Sequence, residues 1–250
     1  MVNLVYTEII KLKRSYMLLI TLAGASVAPL INFLIFLTIQ RTEISELTEA
    51  APIDFATYAN QTNLFVILII GILLYGLLTT YTFSREYQED TLKNLLIIPV
   101  NRTMLILSKC LLILGWIQLL TLYTLGLSII FSWLGGFGGI GLETIWQVGI
   151  TYVLTGFLMF LLVMPLALLT IIFRSFVASI AFTIGIVIIS LVIINSEFLA
   201  IYPWTATLRI IDPLIEIKQY PYWLSWVVII VPGLLGLIAT IVYFNQQDIQ

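Results

Sequence analysis

The stretch LFVILIIGILLYGLLTTYTFSREYQEDTLKNLLIIPVNR, Leu64–Arg102, joins two opposite kinds of sequence. Its first half, Leu64–Phe83, holds no charged residue and has the length of about 20 apolar residues that a helix needs to cross a bilayer. Its second half crowds Arg85, Glu86, Glu89, Asp90, Lys93 and Arg102 together before the chain turns apolar again at Met104. If the first half spans a membrane, the second half is a loop in water, and the same alternation recurs along the chain.

Composition supports that reading. Of 250 residues, 61% are hydrophobic and 10% charged, and the mean hydropathy is +1.11. Soluble domains carry about 25% charged residues. A soluble fold could not hide this much apolar surface, so the bilayer is the natural solvent. The expected fold class is all-α, a polytopic membrane protein forming a single transmembrane domain over residues 1–250. Six spans are expected: about Tyr16–Ile39, Leu64–Phe83, about Met104–Phe131, one within Thr144–Phe173 with a bend at Pro165, Phe176–Ile194, and about Trp223–Phe244. Lys109, near an end of the third, is free to snorkel. The N-terminal run is read as a retained helix, not a cleaved signal.

Cytoplasmic loops carry an excess of Lys and Arg. With the N-terminus inside, Lys11, Lys13, Arg14, Arg85, Lys93, Arg102, Lys109 and Arg174 lie inside, and only Arg41, Arg209 and Lys218 outside. An N-in, C-in topology follows. Before the first span, residues 1–14 carry Val2, Val5, Ile9 and Leu12 on one helical face, with Glu8, Lys11 and Lys13 elsewhere. This is an amphipathic helix, either lying in the interface or continuing into the span.

The outer segments differ in character. Gln40–Asn63, with Glu43, Glu46, Glu49 and Asp54, reads as a solvated connector. Trp133–Gly141, with five glycines, reads as a flexible loop. Residues 196–222 are too apolar for a loop, and Pro203, Pro213 and Pro221 break them too often for a seventh span. A re-entrant or interfacial segment fits, with Trp204 and nearby tyrosines as anchors.

Several chemistries are excluded. There is no histidine, and the one cysteine, Cys110, cannot form an intrachain disulfide. No G-x-x-x-x-G-K-[ST] loop occurs, so the chain is not expected to hydrolyse ATP itself. The predicted spans hold no carboxylate to relay protons or sodium. Catalytic residues, bound cofactors, metals and nucleic-acid partners are not expected. Transport, if it occurs, must be driven by something else.

The charged half of the opening stretch has helical order. Leu92, Leu95 and Leu96 share a face, Glu89 and Lys93 stand at i, i+4, and Asp90 and Thr91 are turn formers, while Pro99 ends the pattern. Such a helix could lie on lipid or dock on a protein. The acids Glu86, Glu89 and Asp90 are repelled by an anionic leaflet, which favours a protein.

These residues carry a resemblance. EYQEDTLKNLLIIPVNR is similar to the signature of the ABC-2 type transporter permeases, roughly E-x-x-x-G-T-L-x-x-L-L-x-x-P-V-x-R between spans two and three. Glu86, Thr91, Leu92, Leu95, Leu96, Pro99, Val100 and Arg102 match it, and Asp90 stands where the family often has glycine. The C-terminal FNQQDIQ, with Phe244, Asn245, Asp248 and Ile249, also resembles family members. The resemblance implies a half-transporter, in which two six-helix permeases, identical or not, meet two separate ATPase subunits that bind ATP and magnesium. Residues 84–103 would then be the coupling region, docking on the ATPase. The small extracellular portion is similar to lantibiotic-immunity and bacitracin-type resistance exporters. That implies an antimicrobial peptide or another amphipathic cargo. The alternatives are a drug, ion or other peptide as cargo, or a scaffold that transports nothing.

Overall fold

A computed structural model describes residues 2–13, 15–41, 54–88, 101–212, 215 and 217–246. Helix α1 is Val2–Lys13, α2 is Met17–Arg41, and α3 is Phe55–Phe65. A π-helical turn, Val66–Ile70, joins α3 to α4, Gly71–Gln88. Then follow α5 (Arg102–Gly135), α6 (Leu142–Phe173), α7 (Phe176–Ile193), a 3₁₀ turn (Glu197–Ala200), α8 (Pro203–Ile211) and α9 (Tyr222–Gln246). Among the described residues, six helices or helix runs are long and apolar enough to cross a membrane, as expected from the sequence.

The second span is the main difference from the sequence reading. It begins at Phe55, so the segment 54–63 is not a solvated connector. Asp54 caps it, its carboxylate accepting from Thr57 N at 2.9 Å. The polar residues that made this stretch look like a loop are satisfied within the bundle. Asn32 Nδ2 on α2 donates to Tyr58 O at 3.1 Å and to Thr62 Oγ1 at 2.8 Å. Tyr58 Oη donates to Pro29 O at 2.6 Å, and Tyr152 Oη to Ala59 O at 2.8 Å. Interhelical hydrogen bonds replace water, as membrane helices require. Residues 42–53, the rest of the expected connector, lie outside the described residues.

Helix α6 runs through the middle, packing against α9, α5, α4, α3 and α8. Its contact with α9 is unusually close. A β-carbon at Gly233 would sit 2.8 Å from Leu161 Cβ, and one at Gly236 would sit 2.6 Å from Pro165 N. Pro165 has no N–H to offer the carbonyl of Leu161, four residues back. The two glycines bring the α9 backbone against this interrupted turn.

The glycine-rich turn is a built structure. Gly136 ends α5 in the left-handed conformation, φ 68°, and Phe137 N donates to Ser132 O at 3.0 Å. Phe137 is thereby buried against Phe33, Phe36 and Tyr58. Beyond it, Gly138 O accepts from Phe55 N at 2.9 Å, which ties this turn to the start of α3.

Between α7 and α9, the chain folds back into the bundle. Trp204–Ile210 of α8 are all buried against α6 and α9. Trp204 is therefore a core residue here, not the surface anchor expected of it. Arg209 is 5% exposed and is held by carbonyls. Its Nη2 donates to Tyr220 O at 2.7 Å and Ile217 O at 3.1 Å, and its Nη1 to Pro221 O at 3.4 Å.

Candidate functional site: the frame of the charged segment

Four helix ends meet where the charged stretch leaves and re-enters the bundle. The last turn of α4 carries Arg85 and Glu86, and α5 starts at Arg102. Glu89, Asp90, Thr91, Leu92, Lys93, Leu95, Leu96, Pro99 and Val100 lie outside the described residues. What the structure places is the frame on either side of them.

On the α5 side, Asn101 caps the helix, its side chain accepting from Thr103 N at 3.0 Å. Arg102 Nη1 donates to Asn245 O at 3.4 Å, and Asn245 Nδ2 returns a bond to Thr103 Oγ1 at 3.1 Å. The end of α9 is thus tied to the beginning of α5, which links the two sequence motifs noted above. On the α4 side, Arg85 Nη1 donates to Lys11 O of α1 at 3.0 Å, and the guanidinium lies 5.8 Å over the Tyr81 ring. Arg174, which ends α6, lies over the ring of Tyr87 on α4 at 5.8 Å.

Sequence reasoning missed the centre of this frame. Lys109 does not snorkel; it is 2% exposed. Its Nζ donates to Glu8 Oε2 on α1 at 3.3 Å and to Thr82 O on α4 at 3.1 Å. Glu8 Oε1 also accepts from Lys11 Nζ at 2.7 Å. Burial works to raise the Glu8 carboxyl, but the charge of Lys109, with the hydrogen bond and charge of Lys11, outweighs it. The carboxyl is held below its usual range. A cavity of about 10 Å³ beside these groups has room for about one water.

The expected face of α1 is corrected accordingly. Glu8 and Leu12 turn inward, and Ile9 is exposed at 47%. A buried ammonium needs a counter-charge more than the helix needs to bury one more isoleucine. The signal was present in the sequence: a lone lysine in an otherwise uncharged span, and a glutamate on a neighbouring amphipathic helix.

The arrangement joins α1, α4, α5 and α9 mechanically at the two exits of the charged segment. Among the described residues there is no cluster of metal-ligating side chains.

Residues 4–190 match the model of the ABC-2 family transporter protein family. The chain is also 40% identical to the bacitracin transport permease protein BCRB of Bacillus licheniformis over 198 residues, covering 79% of this chain and 95% of that protein. With both matches covering most of the chain, and six helices long and apolar enough to cross a membrane among the described residues, this protein belongs to the ABC-2 family of transporter permeases.

Proposed function

We propose that this chain is the membrane subunit of an ATP-driven exporter, with the ATPase in a separate subunit that binds ATP and magnesium. A second permease, identical or homologous, completes the membrane part. Glu86, Glu89, Asp90, Thr91, Leu92, Lys93, Leu95, Leu96, Pro99, Val100 and Arg102 form the contact with the ATPase. The observation that carries this is the frame. The chain leaves the described bundle just after Arg85 and returns at Arg102, and both flanks hydrogen-bond to a neighbouring helix, Arg85 to α1 and Arg102 with Thr103 to α9.

The orientation is N-in and C-in in the bacterial plasma membrane, which puts this frame on the ATP side. The cargo is an amphipathic peptide antibiotic. The likeness to a bacitracin transport permease supports that class.

The test is charge reversal. Glu86→Lys and Asp90→Lys are each expected to cut co-purification of the ATPase and export of bacitracin from cells by about tenfold or more, since truncating or reversing interface charges costs of the order of 2 kcal/mol or above. A complex and an export rate that both stay unchanged would sink the assignment of the segment.

A further inference from the structure

The second span changes its winding part-way along. Val66–Ile70 form a π-helical turn, closed by Gly71 N donating to Val66 O. An α-helix closes each bond four residues back and this turn five, so it holds one residue more than the helix on either side. The sequence provides for it at one position. A β-carbon on residue 71 would collide with that same Val66 oxygen, and residue 71 is glycine. Sharp bends in helices arise at prolines and at such π turns. The second span holds no proline, so its place for a bend is here.

The two sides of the turn are held differently. On α3, polar bonds run to the neighbouring helices. Asn32 Nδ2 donates to Thr62 Oγ1, Asn63 Nδ2 to Thr155 Oγ1 and Tyr152 Oη to Ala59 O, each at 2.8 Å. These fix α3 to α2 and α6. Helix α4 rests on smaller contacts. Gly76 lets it approach Thr183 of α7, where an added β-carbon would lie 2.6 Å from Thr183 Cγ2. The hydroxyls of Thr79, Thr80 and Ser84 are buried and have no hydrogen-bond partner among the described residues. Its bonds to α5 and α1 lie in its last two turns, where Lys109 reaches Thr82 O and Arg85 reaches Lys11 O.

Buried hydroxyls without partners are costly, and three on one helix point to a second seating of α4 in which they meet acceptors. The turn also has space beside it. Ile67 lines a cavity of about 410 Å³ between α3, the start of α6 and the end of α8. Packed interiors resist change of shape, whereas a joint beside an open space can change its angle without overlapping its neighbours.

We propose that the π turn Val66–Ile70 is a hinge. Helix α3 stays with α2 and α6 while α4 tilts, carrying with it the chain that follows Gln88. With its 18 residues α4 is a lever about 27 Å long, and a tilt of about 15° moves its far end by about 7 Å. What drives the tilt, nucleotide binding by the ATPase, rests on the exporter reading; the hinge itself rests on the turn.

The test is distance measurement between nitroxide labels by pulsed double resonance. It uses the full chain in lipid nanodiscs, in a Cys110→Ser background, diluted with an excess of unlabelled chain. Gln88→Cys with Val177→Cys reports the far end of α4 against α7. Gln61→Cys with Val192→Cys reports α3 against the other end of α7; Gln61, Val177 and Val192 are exposed. In the permease alone, the first pair should give the broader distance distribution. With the ATPase bound, ATP and vanadate should shift the first pair by several ångströms and leave the second in place. Deleting Ile69, which is only partly buried, removes the extra residue and leaves both flanks facing as before. The deletion should narrow the first distribution and abolish its shift. Equally broad distributions for the two pairs, or a first distribution still broad after the deletion, overturn the hinge. If the deleted chain does not fold, the two pairs in the undeleted chain still decide. A broad first pair with no ATPase complex formed keeps the hinge and sinks the exporter reading. A complex in which ATP and vanadate move both pairs alike, or neither, sinks the hinge and keeps the exporter reading.

Discussion

Lys109 and Glu8 are the two residues whose fates are most closely tied. Both are buried, and each is the other's compensation. A buried pair adds little over an apolar pair of the same shape, but breaking it leaves one charge stranded, at a cost of about 3–5 kcal/mol. Glu8→Leu is therefore expected to lower the melting temperature of the detergent-solubilised protein markedly. Combining it with Lys109→Met should recover most of the loss. A double variant no more stable than the worse single one would show that the pair is not the anchor. The pair also predicts a pH dependence. The Glu8 carboxyl in the folded protein lies below its unfolded value of about 4.3, so its contribution is complete above that value and is lost as pH falls through the folded one. Proteolytic release of α1 should rise below about pH 4, and Glu8→Gln should flatten that rise. Arg209 illustrates a different solution to the same problem. Its guanidinium is surrounded by carbonyls of the chain that follows it, and it fixes the irregular path from Ile217 to Pro221.

At the scale of elements, spans three to six were legible because each is a long apolar run, with Lys109 in the third as its one charge, and length with hydropathy suffices for such segments. The start of the second span was not. Thr62 and Asn63 look like loop residues in sequence, and only partners about 30 or more residues away, such as Asn32 and Thr155, make them bundle-interior residues. Helix α8 was obscured in the opposite way, since its prolines and charges suggested a surface segment. Its burial depends on α6 and α9 being in place to cover it. The contact of α9 with α6 gives an element-scale prediction. Gly236→Leu would drive a side chain into Pro165 and Met164 backbone, which cannot move as a flexible side chain would. A loss of about 1–3 kcal/mol is expected from such overpacking, seen as a lower melting temperature and aggregation on size exclusion. Gly126→Leu on α5, where an added β-carbon would meet nothing within 4 Å, should be nearly neutral. If the two variants behave alike, close approach is not what Gly236 provides.

For the whole molecule, the distribution of charge and the frame at one end have to agree. Eleven Lys and Arg residues occur in the chain. Lys11, Arg85, Arg102, Lys109 and Arg174 gather at the end where α1 lies. The opposite end is closed by the Phe137 turn, which has no basic residue of its own. Positively charged ends stay on the cytoplasmic side, so the α1 end should face the cytoplasm, where an ATPase can reach it. This is testable in a Cys110→Ser background, because Cys110 is the chain's one cysteine. Asn3→Cys reports the α1 end and Ile140→Cys the turn after α5, both at exposed positions. On intact cells a membrane-impermeant maleimide should label Ile140→Cys at once and Asn3→Cys only after permeabilisation. The reverse pattern would place the charged segment on the outside. The ATPase contact would then be impossible, even with every helix where the structure places it.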